Sequence, residues 1–366
     1  MISIMLITLS CKSMKPKYEW YPMMVTATFY PVQLINGAFI CDGENDVRIS
    51  DVFPVANAMW GDDGGVMIIG DKKPVPNGMY IKWLSALEGQ LYEGTFDLPH
   101  EQMLELFKSG FVEDLYTGKP KPGYPYDYIK VGLAPGGVVA VWLSGFNSQI
   151  LLGQFTADKI PAEDSLFEAW SNTQAERALS LSKRRSNEQV LNMPIPYGLW
   201  DEYNRRFSWR YNIRLEDEKS SFNQIISTYS NGEQYFIYTP EMMVEYNNRA
   251  YPRNILLKWF NDRGISYTAR IRLDKPMILD AFQQMAKQAG DNAHIDFCVD
   301  ISKYNNLLKF TIESGEHKIE LPEEAAKIGI YIPEQDHKVV YCSHNWDDKT
   351  NGVGSDYFNE YYVIKK

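Results

Sequence analysis

Apolar and polar residues alternate over Gln90–Leu98 and again over Ile265–Leu273, the period of a strand with one face in a core and one in water. Both runs then change to helical spacing. After Pro99 the apolar positions are Met103, Leu104 and Phe107, and after Pro276 they are Ile278, Leu279 and Phe282. Spacings of i, i+1 and i+4 place the three side chains on one helix face. A proline in the first helical turn costs no hydrogen bond, because the first amides have no partner there. A hairpin is predicted after each helix. Tyr128–Leu133 and Val138–Leu143 flank Ala134-Pro135-Gly136-Gly137, whose central Pro-Gly signals a type II turn. Ile295–Ile301 and Leu307–Ile312 flank Tyr304-Asn305-Asn306.

The same order of elements therefore occurs twice. Pro76–Leu84 resembles Pro252–Phe260, with Lys-Trp at 82–83 and again at 258–259, an offset of 176 residues. The expected fold is α+β: two tandem related modules, each an antiparallel sheet or sandwich covered by one helix. The first module is expected over 18–160 and a diverged second over 206–366. Between them, 161–205 reads as a helical linker, with a helix over Asn172–Leu191 ended by Met193-Pro194-Ile195-Pro196. Trp83 and Trp259 alternate with charge in their strands and read as core.

Composition narrows this picture. Hydrophobic residues are 45% and charged residues 23%, values of a folded globular chain rather than a disordered one. Aromatics reach 14%, which favours strands and half-buried surfaces. The net charge of −10 gives no general attraction for a phosphate backbone, so no nucleic-acid partner is expected. The run Ile4–Leu9 is too short to span a bilayer. With Ser10-Cys11 behind it, residues 1–11 have the form of a secretory signal ending in a lipobox, with Cys11 as the lipidated residue. The same residues also fit a short first strand with a buried cysteine. Among Cys41, Cys298 and Cys342 there is no CxxC, so no zinc knuckle is expected. Cys298 and Cys342 fall in separate candidate strands and form the preferred disulfide pair, with buried thiols as the equal alternative.

Catalytic signatures are missing from the sequence. It contains no GxSxG, no GxxxxGK[ST] and no HExxH. His337 and His344 are the candidate pair for a hydrolase, and solvated histidines are the plainer reading. No cofactor or metal is expected. Acidic clusters recur in candidate loops: Asp42 with Glu44, Asp62-Asp63 after Trp60, and Asp347-Asp348 after Trp346. An aromatic anchor rimmed by charge is the composition of a protein–protein hot spot, so Trp60, Asp62, Asp63, Asp42, Glu44, Trp346, Asp347 and Asp348 are the candidate partner-binding residues.

From Tyr18 to about Ala157 the chain resembles a family of uncharacterised bacterial envelope lipoproteins. The resemblance rests on Tyr18-Glu19-Trp20-Tyr21-Pro22, Tyr30-Pro31-Val32, Leu91-Tyr92-Glu93-Gly94, and Val131-Gly132-Leu133-Ala134-Pro135-Gly136-Gly137-Val138-Val139-Ala140-Val141-Trp142-Leu143. Members of that family are often encoded beside type VI secretion phospholipase effectors. The resemblance implies a periplasmic, lipid-anchored immunity protein that binds a phospholipase and blocks it sterically, without catalysis. A structural envelope lipoprotein with no toxin partner is the alternative.

Overall fold

The computed structural model describes residues 15–27, 30–49, 60–61, 71–113, 121–161, 194–290, 293–335 and 337–344. The chain is mostly strand with few helices, a β-rich α+β fold. The signal-like segment with Cys11 and the helix expected over Asn172–Leu191 lie outside the described residues.

In the first half, β1 (Lys17–Tyr18) and β5 (Lys73–Pro74) form a small ribbon, as do β8 (Phe111–Glu113) and β9 (Lys121–Tyr124). The main strands are β2 (Tyr21–Thr26), β3 (Val32–Ile40), β4 (Val47–Arg48), β6 (Gly78–Ser85), β7 (Gln90–Asp97), β10 (Tyr128–Ala134), β11 (Val138–Ser144), β12 (Gln149–Thr156) and β13 (Asp158–Ile160), with helix α1 (His100–Ser109) between β7 and β8. They pair in the orders β13-β7-β6-β3-β4 and β2-β10-β11-β12. β2 runs parallel to β10. Met79, Ile81 and Trp83 from one sheet meet Val131, Leu133, Val139 and Val141 from the other, and α1 adds Met103 and Phe107.

The second half begins with a short helix, α2 (Leu199–Tyr203). Its strands are β14 (Arg206–Leu215), β15 (Ser221–Tyr229), β16 (Gln234–Ile237), β17 (Asn247–Ala250), β18 (Pro252–Phe260), β19 (Ser266–Leu273), β20 (Ile295–Ile301), β21 (Leu308–Ser314), β22 (His317–Glu320), β23 (Ala326–Ile332) and β24 (Lys338–Cys342). Helix α3 (Lys275–Ala289) follows β19. One set pairs as β17-β14-β20-β21-β22, and β14 is parallel to β20. The other continues as β16-β15-β18-β19-β23-β24. Asp274 accepts a hydrogen bond from the Met277 amide and caps α3, whose Phe282 packs edge-on against Trp209 at 5.6 Å.

The halves do not stand apart. β12 pairs with β16 at Gln149 and Gln234, which makes one ten-stranded sheet through the whole chain. The outer face of β10 and β11 is covered as well. Trp142 lies edge-on to Trp60 at 5.2 Å and donates from Nε1 to the Asn231 carbonyl at 3.0 Å. Trp200 of α2 lies 6.2 Å from Trp60. Gln149 Nε2 donates to the carbonyls of Gly61 and Gly232, each at 2.6 Å. At that crossing, a Cβ on Gly61 would fall 2.5 Å from the Cα of Gly232, and both glycines have positive φ. Only glycine allows the two backbones to approach so closely.

Two expectations are corrected here. Trp60 is no surface anchor: its ring is fully buried between Trp142 and Trp200, because burying an indole of this size outweighs displaying it in a loop. Cys298 and Cys342 form no disulfide. Both are thiols, in strands of different sheets, and Cys298 shares the outward side of β20 with Asp296 and Asp300.

Candidate functional site

A cleft of about 520 Å³ opens where the two sheets of the second half end. Leu308, Phe310, Leu321 and Ile328 form its apolar floor, and Tyr341, Ser343 and His344 line one wall. Glu216, Glu320, Glu323, Lys309 and Lys318 stand around it. Apolar floors with a few placed polar groups are the usual make-up of binding clefts.

The β20–β21 hairpin loop forms part of the rim through Leu307, which is 38% exposed. Three residues before it, Tyr304 is 80% exposed, the most exposed large hydrophobic residue among the described residues. Its backbone is held from below. Asn305 has φ of 58° and is buried, and its Oδ1 accepts from Trp259 Nε1 at 2.7 Å. Asparagine tolerates this left-handed conformation better than most residues. Ser302 Oγ accepts from the amides of Asn306 and Leu307, and Glu216 accepts from the Lys303 amide at 3.0 Å. A tyrosine carried on so pinned a loop loses little freedom when it binds, which is what a recognition anchor needs.

Beside the cleft, the outward face of β14, β20 and β21 carries a ladder of charge. Arg210 is paired with Asp296 at 2.7 Å, and its guanidinium lies 4.3 Å from the Tyr246 ring centre. Arg214 binds both oxygens of Asp300 and both of Glu313. The hydrogen bond to Asp300 raises the Arg214 pKa above its ordinary value. Burial pushes the Cys298 thiol up to about 12, against the pull of Arg214. Burial, followed by the charges of Asp46 and Glu44, raises Cys41 to about 11. Thiols so protonated near neutral pH are poor nucleophiles.

The expected site residues scatter. Asp42 and Glu44 are exposed at the β3–β4 turn, where Glu44 is paired with Lys17 at 3.0 Å and the Asp42 carbonyl accepts from Lys15. That loop is therefore partly neutralised. Asp62, Asp63, Trp346, Asp347 and Asp348 lie outside the described residues. Of the candidate histidine pair, His344 lines the cleft and His337 does not. His294 receives or donates a hydrogen bond with Ser208 at 3.0 Å and stacks on Tyr246, in an exposed setting. Among the described residues no group of three or more His, Cys, Asp or Glu is placed to hold a metal ion, and no helix is long and apolar enough to cross a membrane. The cleft itself escaped the sequence reading, although Tyr304-Asn305-Asn306 was recognised as a turn. An aromatic preceding two asparagines in a turn is the one local signal that pointed to it.

Residues 8–198 match the model of a family described as a protein of unknown function, DUF2931. No curated protein and no solved structure matches the chain.

Proposed function

The chain belongs to the DUF2931 family, matched over residues 8–198, and from its surface we propose that it is a non-catalytic binding protein of the immunity type. It occupies the active-site entrance of a secreted phospholipase and blocks it sterically. The observation that carries this reading is the rigid hairpin that displays Tyr304 beside an apolar-floored cleft. An exposed aromatic next to a charged rim is a hot-spot arrangement. The resemblance of residues 18–157 to envelope lipoproteins encoded beside phospholipase effectors supplies the partner and the address. The protein is then periplasmic and lipid-anchored through Cys11.

The scaffold is read as a tandem duplication. The orders β13-β7-β6-β3-β4 and β23-β19-β18-β15-β16 correspond strand for strand, as do β2-β10-β11-β12 and β14-β20-β21-β22. Each of the latter holds one parallel pair, β2 with β10 and β14 with β20. Each half places one helix after the hairpin that carries Lys-Trp. The family match ends near the start of the second half, as expected if that copy has diverged.

The test is to mix the purified mature protein with the phospholipase encoded beside it. Co-elution and loss of lipase activity are expected, and Tyr304→Ala should weaken the complex by about 2 kcal/mol. Separate elution with full lipase activity ends the proposal and leaves a structural envelope role.

A further inference from the structure

The cleft exists because β22 stops early. Its last pair with β21 is Glu320 opposite Thr311, and Leu321 then donates its amide to the Phe310 carbonyl at 3.0 Å. Pro322 follows, with no N–H to continue a ladder, and the chain crosses to the other sheet through the 3₁₀ turn Glu323–Ala325. Leu308 and Lys309 therefore have no β22 residue opposite them, and the cleft of about 520 Å³ opens there. Small-molecule sites occupy about 300–1,000 Å³, so this volume suits one compact ligand. The floor is a single apolar strip of Leu308, Phe310, Leu321 and Ile328, continued at the rim by Leu307.

Most charges around this strip are engaged. Arg214 holds both oxygens of Asp300, and Glu216 accepts from the Lys303 amide. Lys318 lies 3.5 Å from Glu320 and 3.9 Å from Glu313. Two ions remain. Lys309 and Glu323 are exposed, line the cleft, and make no side-chain hydrogen bond or ion pair among the described residues. One unmatched cation and one unmatched anion beside an apolar strip complement a ligand that carries both signs on an apolar body.

We propose that the cleft binds one zwitterionic, single-chain amphiphile of the lysophosphatidylethanolamine type. Its chain lies along Leu308, Phe310, Leu321 and Ile328, its phosphate meets Lys309 and its ammonium meets Glu323. The floor offers one strip, so a lipid with two chains is disfavoured. An anionic amphiphile leaves Glu323 unmatched, and a cationic one leaves Lys309 unmatched. The apolar strip supplies the affinity, and the two exposed ions supply selectivity rather than strength. This site goes beyond the immunity reading and does not depend on it.

The full chain, expressed in the cytoplasm, is dialysed at equilibrium against radiolabelled lauroyl-lysophosphatidylethanolamine held below its micelle concentration. Saturable binding of one molecule per chain is expected. Glycerophosphoethanolamine, the headgroup without a chain, should bind at least tenfold more weakly. Lauroyl-lysophosphatidylglycerol, which keeps the chain and phosphate but lacks the ammonium, should bind at least threefold more weakly. Glu323→Gln should make the two lysolipids bind equally, and Lys309→Met should weaken both at least threefold. Both substitutions are at exposed positions and should leave the melting temperature unchanged. No saturable binding of the zwitterionic lysolipid overturns the proposal. So does equal binding of the chain-free headgroup, or a preference for the zwitterion that survives Glu323→Gln. The two readings fail separately. Lipase inhibition without lysolipid binding removes only this site, and lysolipid binding without inhibition removes only the immunity reading.

Discussion

The hairpins β10–β11 and β20–β21 hold equivalent places in the two strand arrays and differ in what covers them. Every residue of β11 is buried. Val139, Val141 and Leu143 enter the first half's own core, while Val138, Ala140 and Trp142 belong to the cluster shared with the second half. In β20, Ile295, Phe297, Val299 and Ile301 face the core, and Asp296 and Asp300 face water with Arg210 and Arg214. The outward face of one array is thus an internal seam, and that of the other is a partly exposed ladder of ion pairs. A charged ladder is a costly surface to desolvate, so it disfavours the apolar packing that the outward face of β10 and β11 receives. The turns differ too. Gly136 donates its amide to Glu88, which also accepts from Tyr92 and from Tyr197, so the first turn is tied down under a side chain. The second turn is pinned by Trp259 and holds Tyr304 outward.

The largest effect expected comes from breaking the seam. Gly232→Val places a Cβ 2.8 Å from the Cα of Gly61 and forces a β-branched residue into positive φ, and should cost about 3 kcal/mol or more. Thermal unfolding of the wild type should be one transition. Two separated transitions would show that the halves fold independently and would sink the idea of a shared core.

Next comes a comparison at the two Lys-Trp pairs. Trp83 stacks on Tyr92 at 5.3 Å and Trp259 on Tyr267 at 5.5 Å. Only Trp259 bonds a turn residue; Trp83 Nε1 has no hydrogen-bond partner among the described residues. Trp259→Phe strands the buried Asn305 oxygen, so it should cost about 1–2 kcal/mol more than Trp83→Phe in urea unfolding. Equal losses would mean that the turn is not held from below.

A smaller difference lies at the helices. Asp274 caps α3 with its side chain, whereas α1 has Pro99 at that place and no side-chain cap. Asp274→Ala should cost about 1 kcal/mol by denaturation, a loss with no counterpart in the first half. The smallest effect is one of pH. Burial raises the Glu313 pKa, but hydrogen bonds from Thr311 and Arg214 outweigh it and hold the carboxyl below its ordinary range. A depressed acid stabilises the fold above its unfolded pKa, about 4.3, and loses that contribution as pH falls through the lower folded value. Glu313→Gln should flatten this acid limb by less than about 1 kcal/mol, because the site is partly solvated. An unchanged acid limb would show that the ladder carries no stability of its own.

Much of the local structure was legible in the chain. The alternating run from Gln90 is β7 over Gln90–Asp97, and that from Ile265 is β19 over Ser266–Leu273. Met103 and Phe107, like Ile278 and Phe282, are the buried face of their helices, and Trp83 and Trp259 are core. Trp60 was misread because an indole beside two aspartates looks the same in sequence whether it faces solvent or a second tryptophan. The unbroken apolar run Val138–Leu143 did carry a trace of the seam, since a strand covered on both faces loses its alternation.

Periodicity, turn residues and the recurring Lys-Trp pair settled which segments are strands and helices and which of their sides are apolar, since those follow from contacts a few residues long. What meets those sides was decided only in three dimensions. The crossing of Gly61 with Gly232, the pairing of Gln149 with Gln234 and the cleft between Phe310 and Tyr341 all join residues far apart in the chain. Backbone approach and the covering of a second sheet face depend on how whole sheets pack, and no local pattern encodes that.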